Sequence, residues 1–298
     1  MTITLSTLGW DERLRTAYRR HDRPDQRPAR VTCAGAGVCC LLAADGAWRA
    51  SVGGALLAAA AHDRTHLPQV GDWVVLRTWP DTRVTVEAVL PRTTVLSGGA
   101  PVGSARPADR AGHPQVTAGP PLVTNVDAVV VVVPAKPEPD RRCLDGLLGL
   151  ALTSGAEPVL ALTKVDQLAR GRTAELLARL EPALGGIRVL AVSAKRGDGM
   201  DELRALAAPG RTVALVGPAG AGRSTIVAAL AGATVLPQRP EQRPTPTSLL
   251  VALPGGGTVV DMVPVAAQVR RPSAGRGRGW PTQEEPEGRQ GRRWASSS

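Results

Sequence analysis

The chain of 298 residues and 30.9 kDa has room for one large or two small domains, each with its own core, and two domains are the better expectation. Hydrophobic residues make up 43% of it but aromatics only 2%, with no Phe, so a core must come from Val, Leu and Ala, and the strongly apolar run VDAVVVVVPA is far too short to span a bilayer. The formal net charge of +10 favours an anionic partner, nucleic acid above all, although the Ala, Gly, Pro and Arg bias is also what GC-rich coding produces.

Residues 1–29 read as an N-terminal extension, and MTITLSTLGWDERLRTAYRR lacks the apolar centre of a signal peptide, which implies a cytoplasmic, soluble protein. From Arg30 to about Pro91 the runs are short and strand-like: RVTCAG, VCCLLAA, the Asp45-Gly46 turn, AWRASVGG, VGDWVVLRT and RVTVEAVLP. Turn signals between such runs predict a small β-barrel or sandwich over residues 30–95. Cys33, Cys39, Cys40 and Cys143 show no paired CxxC spacing, and His21, His62, His66 and His113 complete no ligand pattern with them, so buried thiols are expected.

Residues 96–121 are rich in Gly, Pro, Ser and Arg and read as a flexible linker. Beyond it the rhythm changes over residues 122–264. VDAVVVVVPA, PVLALTKVD and IRVLAVSA read as buried strands, alternating with the helical LDGLLGLALTSGA, AELLARLEPAL and DELRALA, which predicts an α/β domain around a mostly parallel sheet. Residues 265–298 are Arg- and Gly-rich with little apolar content and read as disordered.

In VALVGPAGAGRSTIVAAL an apolar strand runs into Gly217, Pro218, Ala219, Gly220, Ala221, Gly222, Arg223, Ser224 and Thr225 and then into an apolar helix. Glycines at this spacing let backbone N–H groups converge on phosphate oxygens, and the helix N-terminus adds a favourable dipole. Ser224 is placed to ligate Mg²⁺ and Thr225 to support the phosphate end of the loop; the plain alternative is a Gly-rich turn with no ligand. Arg223 stands where the motif calls for lysine, and a planar guanidinium approaches phosphate differently from an ammonium.

Thr163, Lys164, Val165 and Asp166 spell TKVD after an apolar strand and match the guanine-specificity pattern [NT]KxD. Its carboxylate accepts hydrogen bonds from guanine N1 and N2, while the lysine stem covers the base. Alone the tetrapeptide is an ordinary strand-end loop. Ser193, Ala194 and Lys195 follow one βα unit later as SAK, the loop that touches guanine O6 in GTPases. In most GTPases the phosphate loop comes first; here both guanine motifs precede it, the order of a circular permutation.

A permuted GTPase domain behind a small β-domain resembles the ribosome small subunit-dependent GTPase A family (RsgA, also YjeQ or EngC). VGDWV at Val70 and VLPRTTVL at Val89 look like that family's OB-fold, NVDAVVVV at Asn125 like its following strand, RRCLDGLLGLA like its next helix, and LPGGGTVVD at Leu253 like the approach to its second switch. The likeness spans residues 30–264. It implies GTP and GDP binding with Mg²⁺, hydrolysis on the small (30S) ribosomal subunit, late maturation of that subunit, contact with its rRNA, no membrane, and a monomer.

Three features depart from the family. Asp261 is followed by Met262, Val263 and Pro264 where the family has DTPG or DSPG, so proline, which lacks an N–H, occupies the glycine that meets the γ-phosphate. Asp261 can still serve the Mg²⁺ shell through water. In the first switch the histidine that the family places before its threonines is Pro244 or Arg243 here, and Thr245 or Thr247 is the candidate catalytic threonine, Thr245 the one for Mg²⁺, or else both are solvated loop residues. After Pro264 there is no Cys or His where the family continues into a zinc domain, so zinc is not expected. Three readings follow: a working permuted GTPase, with Arg223, Ser224, Asp261 and Thr245 or Thr247 as its catalytic set; a nucleotide-binding protein without hydrolysis; or an RNA-binding β-domain with a structural G-domain.

Overall fold

The computed structural model describes residues 4–35, 37–98, 121–137, 141–232 and 248–262. The first sheet is a closed barrel of five strands: β1 (Gln26–Gly35), β2 (Val38–Ala43), β3 (Gly46–Val52), β4 (Trp73–Thr78) and β5 (Val84–Val89). Strands β1, β2 and β3 form a meander, β4 pairs with both β1 and β5, and a short parallel contact of β3 with β5 closes the ring. The strand order β1-β2-β3-β5-β4, with helix α2 (Gly54–His62) between β3 and β4, is OB-like. Ala29, Val31, Leu41, Ala50, Val74, Leu76 and Val86 fill the interior, a core made without Phe.

One expectation needs correction here. Cys33 and Cys40 are not free thiols: β1 and β2 set them opposite each other in register, with Cα atoms 5.0 Å apart, and they form a disulfide. The spacing concealed this because the pair meets across a hairpin. Cys39 is a buried thiol that desolvation, with the Asp72 charge adding, pushes up to about 12. The N-terminal residues also carry structure, since α1 (Glu12–Tyr18) is capped by the Asp11 side chain on Leu14 N–H and buries Leu14 and Tyr18 beside Trp73.

The second sheet has six strands in the order β10-β9-β8-β11-β13-β12: β8 (Ala128–Pro134), β9 (Glu157–Thr163), β10 (Arg188–Val192), β11 (Thr212–Val216), β12 (Leu249–Ala252) and β13 (Thr258–Asp261). All pairs are parallel except β12 with β13. The valine run of β8 shows why: Val129, Val131 and Val133 pack on one face with Leu144, Leu148 and Leu180, while Val130 and Val132 pack on the other with Met200, Leu203 and Ile226. A strand covered on both faces has no need of polar alternation. Helices α3 (Arg141–Leu152) and α4 (Arg172–Ala183) cover the first face; α5 (Met200–Leu206) and α6 (Arg223–Ala231) cover the second. Each fully buried valine contributes about 1.5–3 kcal/mol of burial free energy.

The ends of the segment read as a linker are strands: β6 (Val95–Ser97) pairs with β7 (Pro121–Thr124), burying Leu96 and Val123. This pair lies beside a polar weld between barrel and α/β domain. Arg92 grips the buried Asp72 carboxylate with two bonds, Nε to Oδ1 at 2.8 Å and NH2 to Oδ2 at 2.6 Å, and the Thr124 hydroxyl donates to the same Oδ1 at 2.6 Å. Arg30, 1% exposed, donates through Nε to Gly71 O (3.1 Å), through NH1 to Leu8 O, and through NH2 to Asn125 O (2.8 Å). One guanidinium thus joins the N-terminal segment, the barrel and the start of β8. Burial lowers its pKa to about 10, opposed by Asp127 and Asp72, so it stays charged at neutral pH. Gly9, at φ 96°, sits where any Cβ would lie 2.7 Å from Arg30 NH1.

Candidate nucleotide site

The chain runs from β8 through β9 to β10 on one side, then crosses back to place β11 on β8's other side. Such a reversal opens a crevice at the carboxyl ends of the strands, where ligands of open α/β sheets bind. The Gly-rich loop follows β11 and TKVD follows β9, so both open on that edge.

Gly217 leaves β11 against the neighbouring strand, and a Cβ there would lie 2.1 Å from Val132 O. Gly220 and Gly222 take left-handed conformations (φ 76° and 97°), and Ala221 N–H donates back to Pro218 O at 3.3 Å. Ala219 and Gly220 are exposed at the tip while Ala221 is buried. Helix α6 begins at Arg223 after Gly222, an N-cap residue with no side chain to cap the first N–H groups, an arrangement that suits an anion. Thr225 and Ser224 on its first turn are exposed.

The guanine-type motifs meet. Lys164 adopts a left-handed conformation and starts a short 3-10 turn carrying Val165 and Asp166. Asp166 Oδ1 accepts from Ser193 Oγ at 2.8 Å, and this hydrogen bond leads the causes that hold the carboxyl below its ordinary pKa, with Arg196 and Lys195 contributing charge. Ser193 is buried at the end of β10, with Ala194 half-buried and Lys195 exposed beside it. An ionised, oriented carboxylate is what recognition of two adjacent N–H donors requires. Thr163 adds a link the motif alone does not announce: its hydroxyl donates to Ala221 O at 2.6 Å, tying the base-side loop to the phosphate-side loop.

Asp261, at the end of β13, faces the first turn of α6. Ser224 Oγ donates to Asp261 Oδ2 at 2.9 Å, and Arg223 NH1 lies 3.6 Å from Asp261 Oδ1. Arg223 is buried, and its NH1 has no hydrogen-bond acceptor among the described residues. Thr245, Thr247, Val263 and Pro264 lie outside the described residues. The hydroxyl of Ser224 beside the carboxylate of Asp261 is a hard-oxygen donor pair of the kind Mg²⁺ takes, so the residues fit that ion.

Comparison with known proteins agrees with this architecture. The RsgA GTPase family matches residues 110–262. The small ribosomal subunit biogenesis GTPase RsgA of Opitutus terrae is 36% identical over 283 residues, covering 87% of this chain and 71% of that protein. The protein of the same name from Streptomyces coelicolor is 33% identical over 265 residues, covering 86% and 68%. Among solved structures, YjeQ from Thermotoga maritima superposes with a TM-score of 0.57 at 24% identity, covering 79% of this chain and 74% of that one. YloQ, a circularly permuted GTPase, gives 0.55 at 20% identity, covering 85% and 76%. These two show the shared fold, barrel and permuted domain together; the family match and the sequence relatives establish that the chain belongs to the RsgA GTPase family.

Proposed function

We propose that this protein binds GTP and GDP with Mg²⁺ and hydrolyses GTP in the late maturation of the small ribosomal subunit, contacting that subunit's rRNA. The observation that carries the nucleotide part is the convergence of TKVD, SAK and the Gly-rich loop at one sheet edge, joined through Thr163 and Ala221. Asp166 reads the guanine edge, Lys164 covers the base, and Ser193 orients the carboxylate. The free backbone N–H groups of the Gly-rich loop and the N-terminus of α6 bind the phosphates and stabilise charge developing there. Ser224 and Asp261 would hold Mg²⁺, which when bound neutralises the phosphate oxygens.

The ribosomal part rests on the names of the family relatives and on chemistry of the barrel surface. Half-buried Trp48 and Trp79 carry Arg27 and Arg77 over their rings at 4.8 and 3.9 Å, the guanidinium–aromatic surface on which nucleic-acid bases stack. Binding of labelled GDP and turnover of GTP, with and without purified small subunits, tests the proposal. Stimulated turnover is the expected result, and GDP affinity no better than millimolar would overturn it in favour of an RNA-binding module. The Arg223–Asp261 pair favours one second reading, nucleotide binding without turnover, which the same assay separates.

A further inference from the structure

A cavity of about 490 Å³ lies where three parts of the chain meet: the N-terminal segment lends it Trp10 and Arg13, the barrel Arg30 and Trp73, and the α/β domain Asp127 and Arg211. Asp127 precedes β8 and Arg211 precedes β11, so the cavity sits at the amino ends of these strands, away from the Gly-rich loop and TKVD at the carboxyl ends. Its size falls in the range of small-molecule sites.

Two buried groups in its wall lack the partner their chemistry calls for. Arg30 gives one N–H each to the carbonyls of Leu8, Gly71 and Asn125, which leaves two of a guanidinium's five donors, and it forms no ion pair among the described residues. Asp72 and Asp127 act on it only from a distance, since Arg92 and Thr124 engage the first and the Thr212 N–H the second. Trp73 is 1% exposed, and its indole Nε1–H, which can only donate, has no acceptor among the described residues. The two groups are neighbours, with Arg30 Cζ 5.4 Å from the Trp73 ring centroid. A buried cation and a buried donor are each costly until an acceptor meets them, and one anion can serve both.

The rest of the wall selects the kind of anion. Arg13 lies 3.8 Å from Asp11 and Arg211 lies 3.2 Å from Glu157, so the charge left to complete is the single one of Arg30. Trp10 meets Trp73 edge to face with ring centroids 4.9 Å apart, an aromatic pair against which a flat ring packs well.

We propose that this cavity is a second ligand site, taking a small planar organic monoanion whose oxyanion pairs with Arg30 and accepts from Trp73 Nε1 while its ring packs against Trp10. The site stands apart from the nucleotide crevice and does not rest on the nucleotide-binding reading.

Equilibrium dialysis of the full chain in excess GDP, against naphthalene-2-sulfonate and its uncharged sulfonamide, tests this. The sulfonate should bind about tenfold or more tightly than the sulfonamide. Trp73→Phe, which removes the N–H and keeps an aromatic ring, should weaken sulfonate binding several-fold. Trp10→Leu, at a half-buried position, should do the same and keeps the test open if Trp73→Phe fails to fold. No retention of the sulfonate, equal retention of the two compounds, or unchanged retention in either folded variant would overturn the inference. With GDP in excess throughout, none of these outcomes bears on the nucleotide site.

Discussion

The Thr163 hydroxyl donates to the Ala221 carbonyl at 2.6 Å, spanning residues 58 apart in sequence and joining the loop after β9 to the loop after β11. A threonine opening a base-recognition motif is thereby also a brace for the phosphate loop. The same oxygen lies 3.2 Å from Val133 O, so the side chain is held from the β8 side as well.

Thr163→Val keeps the shape of the side chain and removes the donor, stranding a buried carbonyl. Such a loss costs about 1–3 kcal/mol. Thermal unfolding should move down correspondingly, and GDP affinity should fall several-fold while guanine selectivity persists. Equal stability and equal affinity in the variant would dispose of the bracing role.

Asp166→Ala removes the group that reads guanine and leaves the phosphate contacts, so GTP-over-ATP preference should vanish while triphosphate affinity partly survives. The pH behaviour follows from the depressed carboxyl pKa: its favourable contribution is present above the ordinary 3.8 and is lost only as pH falls through the lower folded value. Guanine selectivity should therefore stay flat from neutral pH down to about 5, where an ordinary exposed carboxylate also remains ionised. A midpoint near neutrality, measured by competition binding across pH, would point to a different base-reading group.

The parts of this molecule legible in sequence were those written in short-range pattern. The valine run of β8, the Asp45-Gly46 hairpin and each of TKVD, SAK and the Gly-rich loop sit within one element or one turn, and their order can be read directly along the chain. What escaped was assembled over distance: Arg30 meeting Asn125, Asp72 meeting Arg92 and Thr124, and Cys33 meeting Cys40 across a hairpin. VGDWV, VLPRTTVL and NVD carry the family likeness, yet nothing in their spacing says that Asp72, Arg92 and Asn125 weld two domains. Arg223 was legible as an oddity, and only the fold showed the carboxylate beside it.

Arg30→Met tests the weld. It retains bulk against Trp73 and leaves Leu8 O and Asn125 O without their donor, whereas Gly71 O keeps its bond from Asn125 Nδ2 at 3.1 Å. Two stranded carbonyls predict a loss of roughly 2–6 kcal/mol by denaturant unfolding. GDP affinity of the folded fraction should hold within about threefold, because Asn125 precedes β8 at the sheet edge opposite the nucleotide crevice. A large affinity loss with unchanged stability would show that Arg30 acts on the nucleotide site and not on the weld.

Gly217 and Gly220 belong to the same loop and are glycine for different reasons. A Cβ at Gly217 would lie 2.1 Å from Val132 O, a backbone atom in the middle of the sheet that cannot yield, so Gly217→Ala must displace the loop itself. Gly220 has nothing within 4 Å of its Cβ position and carries only a left-handed φ of 76°. Alanine there costs about 1–2 kcal/mol of backbone strain and can leave the loop in place. Gly217→Ala should therefore weaken GDP binding by about tenfold or more, against a few-fold loss for Gly220→Ala. Calorimetric titration of both variants checks the ranking. Equal losses would mean that loop conformation, and not its seating against β8, sets the affinity.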